Sequence, residues 1–271
     1  MAEQSLLQRA RGHLLVEVRR RGSDTVLADL RQDGCMKARF PRPVDWMEIV
    51  TLNSSGGIAG GDRVSSRLAV GCGAQATFAS QAAERFYRAL AQDPPAHVRT
   101  HITVGTDAEA EWLPQETILF DRCAMDRMLE VDVAAGGRFL GVEALVFGRS
   151  AMGETVATAR LADTIRIRIA GRLVLHDAIR VQGEVAPALA RRAVGGGGGA
   201  VATIVLAADD AAASVDTVRA ALAPFEAGVS AWDGLLVARI LGADGACIRA
   251  AIVAGLSALR GGRALPRVWS C

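Results

Sequence analysis

Apolar and polar side chains alternate along many short stretches of the chain. In the clearest of these, Ile165, Ile167 and Ile169 would point to one side of an extended strand, while Arg166 and Arg168 point to the other. The Ala-Gly pair that follows reads as a tight turn into a returning strand. This segment, TIRIRIAGRLVLHDAIRV, therefore predicts a β-hairpin.

Further segments have the composition of strands and end at Gly, Asp, Pro or Asn. They are HLLVEVRR, TVLADLRQ, MEIVTLN, RVSSRLAV, AQATFAS, HVRTHITV, RMLEVDV and GRFLGVEALVF. Their spacing and turn signals predict an all-β body over residues 12–193.

The pattern changes after a run of five glycines, Gly195–Gly199. The segments SVDTVRAALAPF and GACIRAAIVAGLSALRG have helical spacing, with Ser214 as N-cap of the first and Gly261 as C-cap of the second. Between them, VSAWDGLLVARILG reads as one more strand. The fold class is therefore mainly β (α+β), a large β-sheet body with two helices near the C-terminus. We expect one domain over residues 1–271, with a Gly-rich surface loop at 194–200 and a strand-and-helix part at 201–269.

Composition narrows the class of protein. Hydrophobic residues make up 51% and charged residues 22% of the 271 residues, as in soluble globular proteins. A net charge of only +2 gives no electrostatic case for nucleic acid. No run of 18 apolar residues and no signal-peptide pattern occurs, so we expect a cytoplasmic protein that is not in a membrane. The five scattered cysteines form no CxxC pair and are expected to be free thiols.

The stretch NSSGGIAGGDRV, Asn53 to Val64, raises the question of phosphate binding. Gly56 and Gly61 have the separation of a Walker A loop, but Asp62 stands where that motif needs a lysine. Its negative charge would repel phosphate, so this interpretation fails. The sequence GCGAQA fits a relaxed dinucleotide fingerprint, but the strand pattern that follows it argues against that interpretation as well.

Histidine spacing does not predict a metal site. His97 and His101 are four residues apart, but they lie in a predicted strand, where that spacing is about 13 Å. They cannot share an ion there. No Ser/His/Asp or Cys/His arrangement suggests nucleophilic catalysis either.

Several acids lie next to or within apolar stretches. Glu143 lies in FLGVEALVF, Glu116 and Asp121 bracket TILF, and Asp177 ends RLVLHD. Such carboxylates must be paired, hydrogen-bonded or facing a water-filled cavity. One interpretation is a set of structural ion pairs, for example with Arg122 or Arg149; the other is a polar internal path.

Seven segments, in this order, resemble the UreD (UreH) family of urease accessory proteins. They are LRQDGCMKARFPR, LNSSGGIAGGDRV, QAAERFYRA, EWLPQETILFDR, EALVFGRSAMGE, SAWDGLLVARIL and LPRVW, and they extend from about Ala28 to Trp269. The glycine run Gly195–Gly199 has no counterpart in this resemblance.

The resemblance implies a non-enzymatic chain that assists GTP-dependent nickel insertion into urease. Its implied partners are urease apoprotein and UreF, which recruits the GTPase UreG, and a dimer within the accessory complex is possible. No cofactor is expected to be tightly bound, although transient Ni²⁺ is expected in a polar tunnel. The family fold, mostly β with two helices near the C-terminus, agrees with the pattern-based prediction.

With the resemblance, Asp62 becomes a candidate tunnel or structural acid at the convergence of tight glycine turns. The hypothetical nickel path then comprises Asp62, Glu116, Asp121, Glu143 and Asp177, since nickel accepts carboxylate ligands. Two alternatives remain open: a nickel-storage protein, and a small-molecule enzyme using Glu143, Glu116 or Asp121 as general acid or base.

Overall fold

A computed structural model describes residues 8–149, 152–192 and 194–270. The chain forms two large β-sheets, one of seven strands and one of ten. The seven-stranded sheet contains β1 (Arg11–Arg21), β2 (Asp24–Gly34), β5 (Arg63–Val70), β8 (Ala96–Val104), β11 (Ala124–Val133), β13 (Thr158–Ile169) and β14 (Arg172–Glu184). The order across it is β14-β13-β11-β8-β5-β1-β2.

The ten-stranded sheet has the order β16-β17-β15-β12-β9-β6-β4-β3, with β10 beside β12 and β7 beside β10. Its strands are β3 (Met36–Arg39), β4 (Met47–Asn53), β6 (Gln75–Ser80), β7 (Glu84–Phe86), β9 (Glu109–Leu113), β10 (Thr117–Leu119), β12 (Arg138–Phe147), β15 (Ala200–Ala207), β16 (Glu226–Trp232) and β17 (Leu235–Gly242). The prediction of a mainly β fold is confirmed.

From β4 to β13 the chain passes back and forth between the two sheets. The neighbours β5, β8, β11 and β13 pair in parallel, and so do β4, β6, β9 and β12. Strands that belong together in a sheet are therefore separated by a strand of the other sheet. This flattened coil encloses the main hydrophobic core, to which both sheets contribute their inward-facing residues.

Hairpins complete the edges of the sheets. The predicted turn between β13 and β14 is confirmed, with both Ala170 and Gly171 at positive φ. The prediction of a single strand in VSAWDGLLVARILG is wrong, because Asp233 and Gly234 also take positive φ and fold the segment into the hairpin β16–β17. An Asp-Gly pair between apolar runs is itself a hairpin signal.

The helices are α1 (Val185–Leu189), α2 (Val215–Leu222) and α3 (Gly245–Leu259), with 3-10 turns at Ala211–Ser214 and Arg267–Trp269. The two predicted helices are α2 and α3; the single turn α1 was not predicted. Ser214 occupies the N-cap of α2 without a side-chain bond, whereas the Asp244 carboxylate accepts from Cys247 N at the start of α3. Gly261 follows α3 at positive φ.

A second core lies between the ten-stranded sheet and the helices. Apolar residues of β12, β15 and β17 pack there against α2 and α3. The glycine run forms hydrogen-bonded turns, in which Gly197 N donates to Leu189 O and Gly199 O accepts from Phe147 N. Among the described helices, none is long and apolar enough to span a membrane.

Candidate functional site

A cavity of about 100 Å³ lies between the two sheets. Its walls are polar on both sides: the seven-stranded sheet contributes Ser66, Thr100 and Arg127, and the ten-stranded sheet contributes Thr51, Ser80, Trp112, Thr117 and Glu143. Apolar side chains such as Ile58, Phe86 and Leu129 complete it. We call this space the inter-sheet cavity.

The charged centre of the cavity is Arg127 on β11. Its guanidinium donates from Nε (2.8 Å) and Nη2 (2.6 Å) to the two carboxylate oxygens of Asp163 on β13. Nη1 lies 2.7 Å from the Glu143 carboxylate of the opposite sheet and 2.8 Å from Thr117 Oγ1. The other oxygen of Glu143 accepts from Trp112 Nε1 at 2.8 Å. One buried guanidinium therefore pairs with two carboxylates at once.

Burial and charge act in opposite directions on these groups. Burial raises the pKa of the Glu143 carboxyl, although Arg127 opposes the change. Burial alone would lower the pKa of Arg127, but the carboxylates of Asp163 and Glu143 outweigh it and raise that pKa. Arg127 consequently stays charged.

Glu84 lies where the inter-sheet cavity meets the surface. An open depression of about 200 Å³ shares Met36, Thr51, Ser80 and Glu84 as walls with the cavity. The Glu84 carboxylate accepts from Asn53 Nδ2 (3.2 Å) and Arg85 N (3.0 Å), and burial raises its pKa. A half-buried acid that has no salt-bridge partner among the described residues thus separates the depression from the cavity.

Asp62 is buried at a different place, beneath the glycine loop. Its carboxylate accepts from Ala10 N and Ala59 N, both at 2.8 Å. It also lines an open cleft of about 510 Å³ between the start of β1 and the glycine loop. Asp62 therefore holds the start of β1 and the glycine loop together through their backbone N–H groups. It does not line the inter-sheet cavity.

The other three predicted acids have partners outside the inter-sheet cavity. Glu116 lies 3.6 Å from Arg249, and Asp177 lies 2.6 Å from Arg239. Asp121 accepts from Thr158 N and Ala157 N and pairs with Arg122, and these bonds lower its pKa. Only Glu143 of the five lines the cavity, so the structure does not bring the predicted acids together.

The histidines behave as their strand positions predict. His97 pairs with Asp126 at 3.1 Å and His101 with Asp132 at 2.7 Å, so each has its own partner on the outer face of the seven-stranded sheet. Within residues 8–149, 152–192 and 194–270, no group of three or more His, Cys, Asp or Glu side chains could hold a metal ion.

Sequence reasoning missed Glu84, Arg127 and Asp163. A signal was present for two of them: Asp163 is in phase with Ile165 and Ile167, and Arg127 is in phase with Leu129. Charges in the buried phase of an alternating strand should be paired in the interior. Glu84 carried no such signal, because β7 is only three residues long.

Comparison with known proteins identifies close relatives. A model of the UreD urease accessory protein family matches residues 10–270. A urease accessory protein UreD of Rhizobium leguminosarum bv. trifolii (strain WSM2304) is 44% identical over 261 residues, covering 96% of this chain and 94% of the relative. One of Dinoroseobacter shibae (strain DSM 16493 / NCIMB 14021 / DFL 12) is 46% identical over 269 residues, covering 97% and 93%.

Proposed function

The chain belongs to the family of UreD urease accessory proteins, and on that premise we propose that it is a non-catalytic scaffold for the maturation of urease. In this role it binds urease apoprotein and UreF, through which the GTPase UreG joins the complex. Nickel insertion follows GTP hydrolysis on UreG, with Ni²⁺ passing through this chain as cargo. A second copy of the chain in the accessory complex is part of the same proposal.

The observation that carries the proposal is the surplus of acid around Arg127. Glu143 and Asp163 contact its guanidinium, and Glu84 is close enough to raise its pKa further. A divalent cation entering the inter-sheet cavity would offset this surplus and favour the ionised form of Glu84 and Glu143. The cavity is therefore electrostatically suited to a cation and unsuited to an anion.

A passage also requires that the cation leave. Arg127 already occupies the carboxylate oxygens of Glu143 and Asp163, so an arriving ion would have to compete with a resident cation. Carboxylate oxygens without imidazole or thiolate make a poor site for tight nickel binding. Both features favour brief occupancy over storage.

The alternatives of an enzyme and a nickel store have less support. Of the three acids suggested for catalysis, only Glu143 lines the inter-sheet cavity. That cavity has about 100 Å³, whereas small-molecule sites commonly have volumes of about 300–1,000 Å³. Storage needs a closed ligand cage, and the described part of the chain has no cluster of three or more ligating side chains. The scaffold with a passage for cations remains the better account.

The test uses a strain in which the gene for this chain is deleted, with urease nickel content and activity as readouts. We expect urease protein without nickel in that strain, and normal nickel after complementation. Complementation with Glu143→Gln or Glu84→Gln should leave nickel content several-fold lower, while the accessory complex still co-purifies. Glu116→Gln is the matched control, because Glu116 does not line the cavity.

Two results would contradict the proposal at different levels. Normal nickel content in the deletion strain would remove the scaffold role. Normal nickel content with both cavity variants would remove the passage and leave a docking platform. If a variant lost nickel and also unfolded at a much lower temperature than wild type, its acid would act through the stability of the protein.

A further inference from the structure

An exposed aromatic surface lies beside the glycine loop, next to the depression at Glu84. Tyr87 follows β7 and Phe120 follows β10, and their ring centroids are 4.9 Å apart. The guanidinium of Arg149 stacks over Phe120 at 4.8 Å. Tyr87 is 37% exposed, and Met152, in the turn after Arg149, is 71% exposed. We call Tyr87, Phe120, Arg149 and Met152 the aromatic patch.

The glycine loop holds the ring of Tyr87 in place. Its hydroxyl donates to Gly56 O at 3.1 Å. A Cβ on Gly57 would lie 2.3 Å from Tyr87 Cε2, so the ring fits against the loop only because this residue is glycine. An aromatic side chain that is already fixed loses little conformational entropy when a partner covers it.

Positive charge surrounds Tyr87. The open cleft of about 510 Å³ has Tyr87 as one wall and Arg9 and Arg11 as another. Arg9 is paired with Asp93, but Arg11 is exposed. Arg85 is exposed on the same side of its strand as Tyr87. Among the residues that the structure describes, neither Arg11 nor Arg85 has a carboxylate within salt-bridge distance.

We propose that the aromatic patch and the adjoining cleft dock an acidic, partly apolar segment of a partner protein. Tyr and Arg are enriched among interface hot spots, and Met is enriched in interfaces. Arg11 and Arg85, which have no salt-bridge partner among the described residues, favour carboxylates in the partner. Phe120 and the exposed Met152 favour a large apolar side chain. Polyphosphate is a poorer fit, because it offers no apolar group to the aromatic patch.

Docking here would place the partner against the entrance of the inter-sheet cavity. The depression that leads to Glu84 is lined by Gly56, Gly57 and Arg85, the same residues that surround Tyr87. The inference rests on the proposed function only in its choice of partner proteins. Binding of the partner protein and the nickel content of urease are measured in separate experiments. Either proposal can therefore be contradicted while the other stands.

The experiment places the photo-cross-linker p-benzoylphenylalanine at position 87 of the full chain, co-expressed with urease apoprotein and its accessory proteins. Mass spectrometry then identifies the cross-linked peptide. We expect one peptide in which Asp or Glu flanks a large apolar residue, and no cross-link from the same cross-linker at Leu173, an exposed apolar position on β14. A cross-link to a second copy of this chain, to a neutral or basic peptide, or to nothing would overturn the proposal.

Charge reversal gives an independent test that leaves the inter-sheet cavity intact. Arg11→Glu should weaken the binding of the cross-linked partner protein to this chain at least about tenfold, the loss expected for a charged interface anchor. The binding that remains should depend less on salt concentration. Arg21→Glu, at the other end of β1, is the matched control and should bind as wild type. Equal binding by both variants, or binding lost on nuclease treatment, would contradict a protein partner at this cleft.

Discussion

Glu111 is the most completely paired acid among the described residues, and it holds two distant parts of the chain together. Only 2% of its side chain is exposed, and it accepts from Arg260 (2.8 Å), Arg263 (2.6 Å) and Thr77 (2.6 Å). Burial would raise its pKa, but the bonds and charge of Arg260 prevail and hold the pKa below its ordinary value. Glu143 differs, since it shares one guanidinium with Asp163. Glu111 is therefore a structural acid, whereas Glu143 is the acid that the proposed passage would use.

Glu111→Gln should destabilise the protein by about 3–5 kcal/mol at pH 7, because it leaves the buried Arg260 and the partly buried Arg263 without their counter-charge. The folded pKa of Glu111 lies below the unfolded value near 4.5, so its contribution is full above that value and disappears as pH falls through the folded pKa. Urea unfolding of both proteins at several pH values measures this. The difference should shrink below pH 4.5.

Glu109→Gln is the control for that experiment, since Glu109 is half-buried and lies 3.9 Å from Arg138. A loosely paired, partly exposed acid contributes less than about 1 kcal/mol. A stability difference for Glu111→Gln that stayed constant from pH 7 to pH 4 would contradict the assignment.

The glycine loop from Asn53 to Val64 serves geometry rather than phosphate binding. Gly56, Gly57 and Gly61 take positive φ, and these turns bring Ala59 N to the Asp62 carboxylate. The same turns leave room for the ring of Tyr87. The loop therefore connects a buried acid to an exposed aromatic side chain, which is why it is rich in glycine.

Gly57→Ala should destabilise the protein by more than about 2 kcal/mol, combining strain at φ +142° with a clash against Tyr87. Gly56→Ala is a matched control: it also has positive φ, but its Cβ would meet nothing within 4 Å. It should cost only about 1–2 kcal/mol. Thermal unfolding of both variants measures the difference, and equal losses would show that Tyr87 does not pack against the loop.

The two-layer coil explains why polar groups can collect inside a β protein. Helices α2 and α3 cover only the outer side of the ten-stranded sheet. The inward faces of the two sheets therefore pack directly against each other. Arg127 from one sheet meets Glu143 from the other across that interior. The arrangement buries charge while leaving the aromatic patch and the outer face of the seven-stranded sheet open.

The exposed apolar side chains predict that the isolated chain is poorly soluble and is helped by its partners. If the aromatic patch causes this, Met152→Glu should raise the soluble fraction of the isolated chain, measured after ultracentrifugation. Val44→Glu is the control, since Val44 is 87% exposed and lines a different depression, with Trp46 and Arg260. An equal gain from both variants would assign the poor solubility to exposed apolar residues in general.

Strand periodicity, turn residues and helix caps are local properties, and they allowed the β body, the β13–β14 hairpin and α2 and α3 to be predicted. Strand periodicity also indicates that Asp163 is buried, because Asp163 is in phase with Ile165 on β13. Local pattern decides which way a side chain faces, because successive residues of a strand point to opposite sides.

The pairing of the charges was decided only by the tertiary structure. Arg127 is 36 residues from Asp163, and Glu111 is 149 residues from Arg260. Which of these charges meet depends on strand register and on the alternation of the chain between two sheets. Both are set by the packing of distant segments, so no short stretch of sequence contains that information.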